Sequence, residues 1–422
     1  MRESHHRSGE EMHELATQLF PICRSITGDG VRKTLAILQE RIPLTVTEIP
    51  SGTIAFDWKV PKEWNVREAY IEDEAQNRIV DFTRHTLHVV GYSSPVDAHL
   101  SLAELQPHLH SLPDMPDAIP YVTSYYREDW GFCITHNERE RLKEGTYHVR
   151  IDSELKDGSL TYGEYVIPGE SEKEVLLSTY VCHPSLANDN LSGPVVATYL
   201  AQWLAEERRR YTYRIVFIPE TIGALVYLAR NLASLKQNVT AGFVLTCLGD
   251  ERAYSYLPSR SGATFADRIA TRTLSELHPG FIRYTFLDRG SDERQYCAPG
   301  VDLPVVSIMR SKYETYPEYH TSKDDLSFIT SNGLHGSFEM LKQMLQRIEK
   351  SVRYVATTIG EPQLGQRGLY EKEHMKMTRN ILAYADGTRD VDDLVEAVRA
   401  PRNDVLSRIE RLQQAGLLVE DK

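Results

Sequence analysis

Cys182-His183-Pro184-Ser185-Leu186-Ala187-Asn188-Asp189-Asn190-Leu191-Ser192-Gly193 joins an apolar, β-prone run over 175–181 to a long helical pattern over 193–208. Its histidine and aspartate therefore fall where a strand ends and a helix begins. Open α/β sheets keep their ligands at that place. A neutral imidazole and a carboxylate on one short connection can converge on a single cation. Asn188 and Asn190 suit the tight backbone such a connection needs, and Ser192-Gly193 lets the helix start close by. A single His and a single Asp are also common in polar βα loops, so the stretch needs support from elsewhere in the chain.

Outward from this stretch the pattern is an alternation of strands and helices. Strand candidates cover 147–151, 160–167, 175–181, 213–218, 241–248, 281–287 and 303–309, with helical runs at 194–208, 224–235 and 263–277 and a long final helix from about 337 to 355. The expected fold class is α/β, a mixed, mostly parallel sheet covered by helices on both faces. Two helical runs at 10–20 and 31–41 precede it, and the β-branched and aromatic alternation from Thr45 to Val90 reads as a small inserted β domain. The linker 360–368 leads into three short helical patterns and the strand-like Leu417-Leu418-Val419, the outline of a winged helix. We expect 1–44 and 119–359 to form a catalytic domain, 45–118 an inserted β-rich domain and 367–422 a winged-helix domain.

Composition bounds the function. A chain of 422 residues that is 41% hydrophobic and 26% charged belongs to the globular class and is long enough for two or three domains. A net charge of −12 argues against a nucleic-acid surface spread over the whole protein. In the winged-helix outline acidic and basic residues nearly balance, so docking or oligomerisation is expected there rather than DNA binding. The five cysteines are scattered without a CxxC, which speaks against a disulfide framework or a four-cysteine zinc site and fits a reducing cytoplasm. No run approaches 18 apolar residues, so no membrane span is expected.

Three further stretches fall at expected strand ends. Phe217-Ile218-Pro219-Glu220 delivers a carboxylate to a turn, where partial desolvation suits it to take a proton near neutral pH. Tyr316-Pro317-Glu318-Tyr319-His320 supplies a second histidine, and Ser291-Asp292-Glu293-Arg294 is dense in groups able to bind a polar substrate. Each has a bland reading as a helix-terminal carboxylate, a surface histidine or a salt-bridge partner. Their recurrence at one kind of location favours a shared site.

The order His183, Asp189-Asn190-Leu191-Ser192-Gly193, Glu220, Tyr319-His320-Thr321-Ser322-Lys323-Asp324 resembles the zinc aminopeptidases, whose relatives include glutaminyl cyclases. Leu19-Phe20-Pro21-Ile22-Cys23-Arg24-Ser25-Ile26-Thr27-Gly28, His110-Ser111-Leu112-Pro113, Trp130-Gly131-Phe132-Cys133 and Ser291-Asp292-Glu293-Arg294 are more closely similar to a bacterial subfamily of aminopeptidase-like proteins. That subfamily has an inserted β domain and a C-terminal winged helix and is associated with polysaccharide or secondary-metabolite biosynthesis. The resemblance implies His183, Asp189 and His320 as zinc ligands and Glu220 as general base. Tyr319 or a backbone N–H would stabilise the oxyanion, Asp292 or Glu293 would hold a free α-amine, and Arg294 a carboxylate.

Two departures matter. Thr221 follows the base where the two-zinc relatives have a glutamate, and Thr246 stands ahead of Gly249 where they have an aspartate. A hydroxyl does not replace a carboxylate's charge at Zn2+, so one Zn2+ per chain is expected, with Asp250 and Glu251 as reserve ligands. The implied activity is hydrolysis of an amide in a small aminoacyl or peptidyl substrate on a biosynthetic route. Acyl or aminoacyl transfer or cyclisation at the same centre is the alternative. A non-catalytic scaffold or regulator acting through the winged helix is the third reading. The expected partners are a small molecule or short peptide and a second copy of the chain, met through the inserted or C-terminal domain, in the cytoplasm.

Overall fold

The computed structural model describes residues 2–421, with side chains from Ser8 onward. Eight strands form one sheet in the order Thr45–Pro50, Ser159–Ile167, Thr212–Ile218, Glu174–Tyr180, Val239–Leu245, Val305–Met309, Ser255–Leu257, Ile282–Arg283. The four central strands run parallel, and antiparallel pairs flank them on both sides. Period-two alternation explains why both faces are covered. Val175, Leu177, Ile215 and Phe217 point into a core with the helices Arg2–Leu19, Asp29–Gln39, Ser192–Ala205, Phe265–Leu277 and Ser331–Lys350. Leu176, Val216 and Ile218 point the other way, into a core shared with helix Ile222–Asn238 and the small sheet.

That small sheet is antiparallel, in the order Arg78–Asp81, Glu63–Glu72, Thr146–Lys156, Val96–Ser101. Two strands cross the boundaries expected for the insert at 45–118. Thr45–Pro50 pairs with Ser159–Ile167 at the edge of the large sheet, and Thr146–Lys156 supplies an inner strand of the small one. A two-stranded ribbon, Ile54–Ala55 with Trp58–Lys59, leaves the insert and rests on helix Ile222–Asn238.

Three local expectations are corrected. The strand expected over 281–287 shrinks to Ile282–Arg283, because it pairs on one side only at the sheet edge, and the chain then turns and leaves Leu287 86% exposed. The final helix runs Ser331–Lys350, started by Thr330, whose hydroxyl accepts from the Gly333 N–H. The residues read as its last turn instead form strand Arg353–Ala356, the centre of a three-stranded sheet with Asp386–Asp390 and Leu418–Glu420.

Helices Met375–Tyr384, Val391–Val398 and Arg402–Gln414 complete the winged-helix unit around Ile381, Leu394, Val405 and Ile409. It is riveted to the large domain. Arg268 and Arg272 both donate to Asp393 at 2.7 Å, and Arg353 donates to Thr240 at 2.6 Å. Among the described residues no helix is long and apolar enough to cross a membrane, and the five cysteines form no disulfide.

Candidate active site

The central strand Glu174–Tyr180 delivers His183 to the carboxyl end of the sheet, and an irregular turn, Ala187–Leu191, carries Asp189 back toward it before helix Ser192–Ala205 begins. Local polar side chains hold this path. The Asn188 side-chain oxygen Oδ1 accepts from the Gly249 N–H at 2.8 Å, Asn190 donates to Thr179 at 3.1 Å, and Ser192 donates to the Asn188 backbone carbonyl at 2.6 Å. Gly193 is required by close approach: a Cβ there would lie 2.4 Å from both the Leu245 carbonyl oxygen and the Thr179 hydroxyl.

Three ligand atoms, from His183, Asp189 and His320, lie within 4.8 Å of one another. Asp189 Oδ2 is 3.1 Å from His320 Nε2 and 4.0 Å from His183 Nε2, and Glu220 Oε2 is 3.9 Å from that same His183 nitrogen. His320 Nε2 is buried and has no hydrogen-bond partner. An orphaned imidazole nitrogen facing a carboxylate and a second imidazole is the donor set that a divalent cation such as Zn2+ satisfies, so the residues present fit the metal.

Electrostatics agree with that fit. Burial holds His183 down at about 4, so at neutral pH it is the uncharged imidazole that ligates metals. Burial pushes the Asp189 carboxyl up, but His183 and His320 outweigh it and keep the group ionised below its ordinary range. Glu220 is pushed well above the usual carboxylate range by burial first and then by the charges of Asp292 and Asp189. A carboxyl so placed can both accept and return a proton.

The structure also shows what stands behind these groups. Asp324 is fully buried and accepts the backbone N–H groups of Asn188 at 2.6 Å and Asp189 at 2.9 Å, clamping the turn that presents Asp189. Arg24, 1% exposed, donates to the His183 carbonyl at 2.9 Å. Sequence reading gave neither residue a role. Arg24 lay in a quoted motif and Asp324 followed His320 by four positions, but their partners are 159 and 135 residues away.

The remaining expected residues divide. Arg294 is exposed at the site, donating to the Thr221 hydroxyl at 3.0 Å and the Ser291 carbonyl at 3.1 Å. Asp292 is buried and accepts the Thr221 N–H at 2.7 Å, so it fixes the turn after Glu220 rather than facing a substrate. Glu293 is also buried and saturated: Gly290 N–H, Ser291 N–H and the Tyr313 hydroxyl donate to one oxygen and the Ser307 hydroxyl to the other. It braces the loop, and the expectation that it holds a substrate amine does not stand. Tyr319 stacks face to face on His320, with centroids 3.9 Å apart, and sets the imidazole plane through its ring.

Asp250 and Glu251 are not reserve ligands. Asp250 accepts from Arg252, Ser311 and Asn188, and Glu251 accepts from Thr330. The Tyr180 hydroxyl donates to Asp189 Oδ1 at 2.5 Å and lies 2.6 Å from Thr246 Oγ1, so that carboxylate oxygen already has a protein donor.

A pocket of about 390 Å3 opens over the centre, with His183, Glu220 and His320 on its floor and Trp58, Tyr121, Tyr125, Tyr126 and Arg294 in its walls. The family described as a domain of unknown function (DUF4910) matches residues 13–351, and the one described as a winged helix-turn-helix matches residues 352–420. A Clostridium acetobutylicum protein, provisionally named as a polysaccharide biosynthesis protein with an aminopeptidase-like domain, is 46% identical over 364 residues, 86% of this chain and 83% of its own. A crystal structure from the same organism, provisionally described as a peptidase, superposes with a TM-score of 0.84 at 41% identity, covering 99% of this chain and 98% of that one. The zinc aminopeptidase of Bacillus subtilis shares the fold, with a TM-score of 0.57 at 13% identity over 81% of this chain and 94% of its own.

Proposed function

This chain belongs to the DUF4910 family and ends in a winged helix-turn-helix, and on that premise we propose that it is a metal-dependent amide hydrolase acting on a small acylated substrate. The observation that carries the reading is the convergence of His183, Asp189 and His320 within 4.8 Å, with Glu220 3.9 Å from His183, on the floor of one pocket. A Zn2+ held by the three ligands supplies Lewis acidity toward a carbonyl oxygen and lowers the pKa of water to about 7.

The protein's own groups do the rest. Glu220 takes a proton from the attacking water and passes it to the leaving nitrogen as the C–N bond breaks, so that the water oxygen ends on the acyl carbon and its hydrogen on the amine. Ser291 donates to Glu220 Oε1 at 2.9 Å and aims the other oxygen at the site. Asp324 keeps the Asp189 turn in place. One cation per chain is the count we favour. Tyr180 occupies Asp189 Oδ1, and the Thr221 and Thr246 hydroxyls are already engaged with Arg294 and Tyr180.

The relative's name supports a biosynthetic setting. For the winged helix we favour a fixed docking role, since Arg408 and Arg411 pair with Glu371 and Arg402 with Asp392, which leaves these arginines committed within the unit. The test is metal content of protein purified without added metal. We expect one zinc per chain, lost in His183→Ala. No zinc even after loading would remove the hydrolase reading, and two would overturn the single-site count.

A further inference from the structure

The pocket lining holds one formal positive charge, Arg294, and one carboxylate, Glu220, which is the base of the proposed reaction. Arg294 uses its Nε–H on the Ser291 carbonyl and one Nη2–H on the Thr221 hydroxyl. Its Nη1 and the remaining Nη2–H have no protein acceptor, and among the described residues Arg294 forms no ion pair. An N–H on each terminal nitrogen of an exposed guanidinium is therefore unengaged, the fork that receives a carboxylate through both oxygens.

The other acidic residues nearby do not line the pocket. Glu293 is saturated by four donors, Asp292 is buried with one oxygen on the Thr221 N–H and the other without a partner, and Asp189 belongs to the candidate metal ligands. Only Glu220 reaches the pocket, and it is the base. An ammonium group would find only Glu220, already engaged as the base, whereas an anion would find Arg294. The opposite wall is aromatic: Trp58 and Tyr126 meet edge to face at 5.7 Å, and the Tyr121 and Tyr125 hydroxyls are 3.1 Å apart. Such a wall takes a flat or apolar group.

We propose that the substrate is an N-acylated amino acid, an amide with a free carboxylate held by Arg294 and no free amine, rather than the amino end of a peptide. This rests on the reading of the pocket as a hydrolytic site, and its chemistry is that of the preceding section: water adds to the acyl carbon and the amino acid leaves with the proton from Glu220.

The experiment compares N-acetyltyrosine, its carboxamide and the free-amine tyrosinamide as substrates for the full chain, and measures N-acetyltyrosine binding to Glu220→Gln by calorimetry. We expect kcat/KM for N-acetyltyrosine to exceed that of the carboxamide by about 10- to 100-fold. Arg294→Met should collapse the ratio through KM, with Arg294→Lys recovering part of it. Binding to Glu220→Gln should weaken about as much when Arg294→Met is added. Preference for tyrosinamide overturns the inference and leaves the hydrolase reading standing. Arg294-dependent binding without cleavage of any amide supports the inference and overturns the hydrolase reading. N-acetyltyrosine that neither binds nor is preferred overturns the inference.

Discussion

Glu220 and Glu293 are both glutamates near the carboxyl ends of the large sheet's strands, and they have opposite fates. Glu293 is fully buried and receives four hydrogen bonds, so its charge is spent on holding the 290–293 loop. Glu220 keeps 23% of its side chain exposed, receives one hydrogen bond from Ser291 and faces His183. Whether a carboxylate reacts or braces is decided by how many donors the fold has already given it.

The largest expected effect comes from the reactive member. Glu220→Gln should lower turnover by roughly 100- to 10,000-fold while zinc content and thermal stability stay as in the parent. Unchanged turnover would break the contrast at once. The bracing member should behave in the opposite way. Glu293→Met keeps the volume and removes the acceptor, leaving the Gly290 and Ser291 N–H groups unpaired, so we expect a loss of about 3 kcal/mol in denaturant unfolding. A variant as stable as the parent would show that the four bonds contribute nothing net.

Asp324 sharpens the comparison, because it braces the proposed ligand Asp189 directly. In Asp324→Asn the amide NH2 must face either the Asn188 N–H or the Asp189 N–H, and we expect about 2 kcal/mol of destabilisation with weaker zinc retention on dialysis. Intact retention would detach Asp324 from the site. The smallest effect belongs to Glu63, an acid paired with Arg32 away from the pocket. The Arg32 hydrogen bond lowers it from an ordinary 4.5 to about 2. A depressed pKa means that the stabilisation is present above about 4.5 and disappears as pH falls through about 2. Glu63→Gln should therefore cost about 1 kcal/mol or less at pH 7, since Arg32 is partly exposed, less at about pH 2, where half the native carboxylates are protonated, and nothing well below it. A difference that persists undiminished through that fall would point to packing instead of charge.

Sequence alone singled out His183, Asp189, His320 and Glu220, which the fold brings together, because each lies in a connection that follows a strand of the large sheet, where position along the chain maps onto position in the sheet. It reached the winged helix through helical periodicity, yet missed strand Arg353–Ala356, whose partners Asp386–Asp390 and Leu418–Glu420 lie farther along the chain. Arg24, Tyr180 and Asp324 were invisible as site residues for a related reason. A polar residue's role depends on which distant backbone group it meets, and local pattern carries no record of that. Glu293 was misread because a charged residue beside Arg294 looks solvent-facing until its donors are counted.

The ribbon that carries Trp58 belongs to the insert, while His183, Asp189 and His320 are hung from the large sheet or its loops. Part of the pocket rim and the polar cluster beneath it therefore occupy separately mutable parts of one gene product. Drift in the ribbon around Trp58 can reshape that part of the rim without disturbing His183, Asp189 and His320, so members of one lineage can diverge in the shape of the rim while keeping the same cluster beneath it.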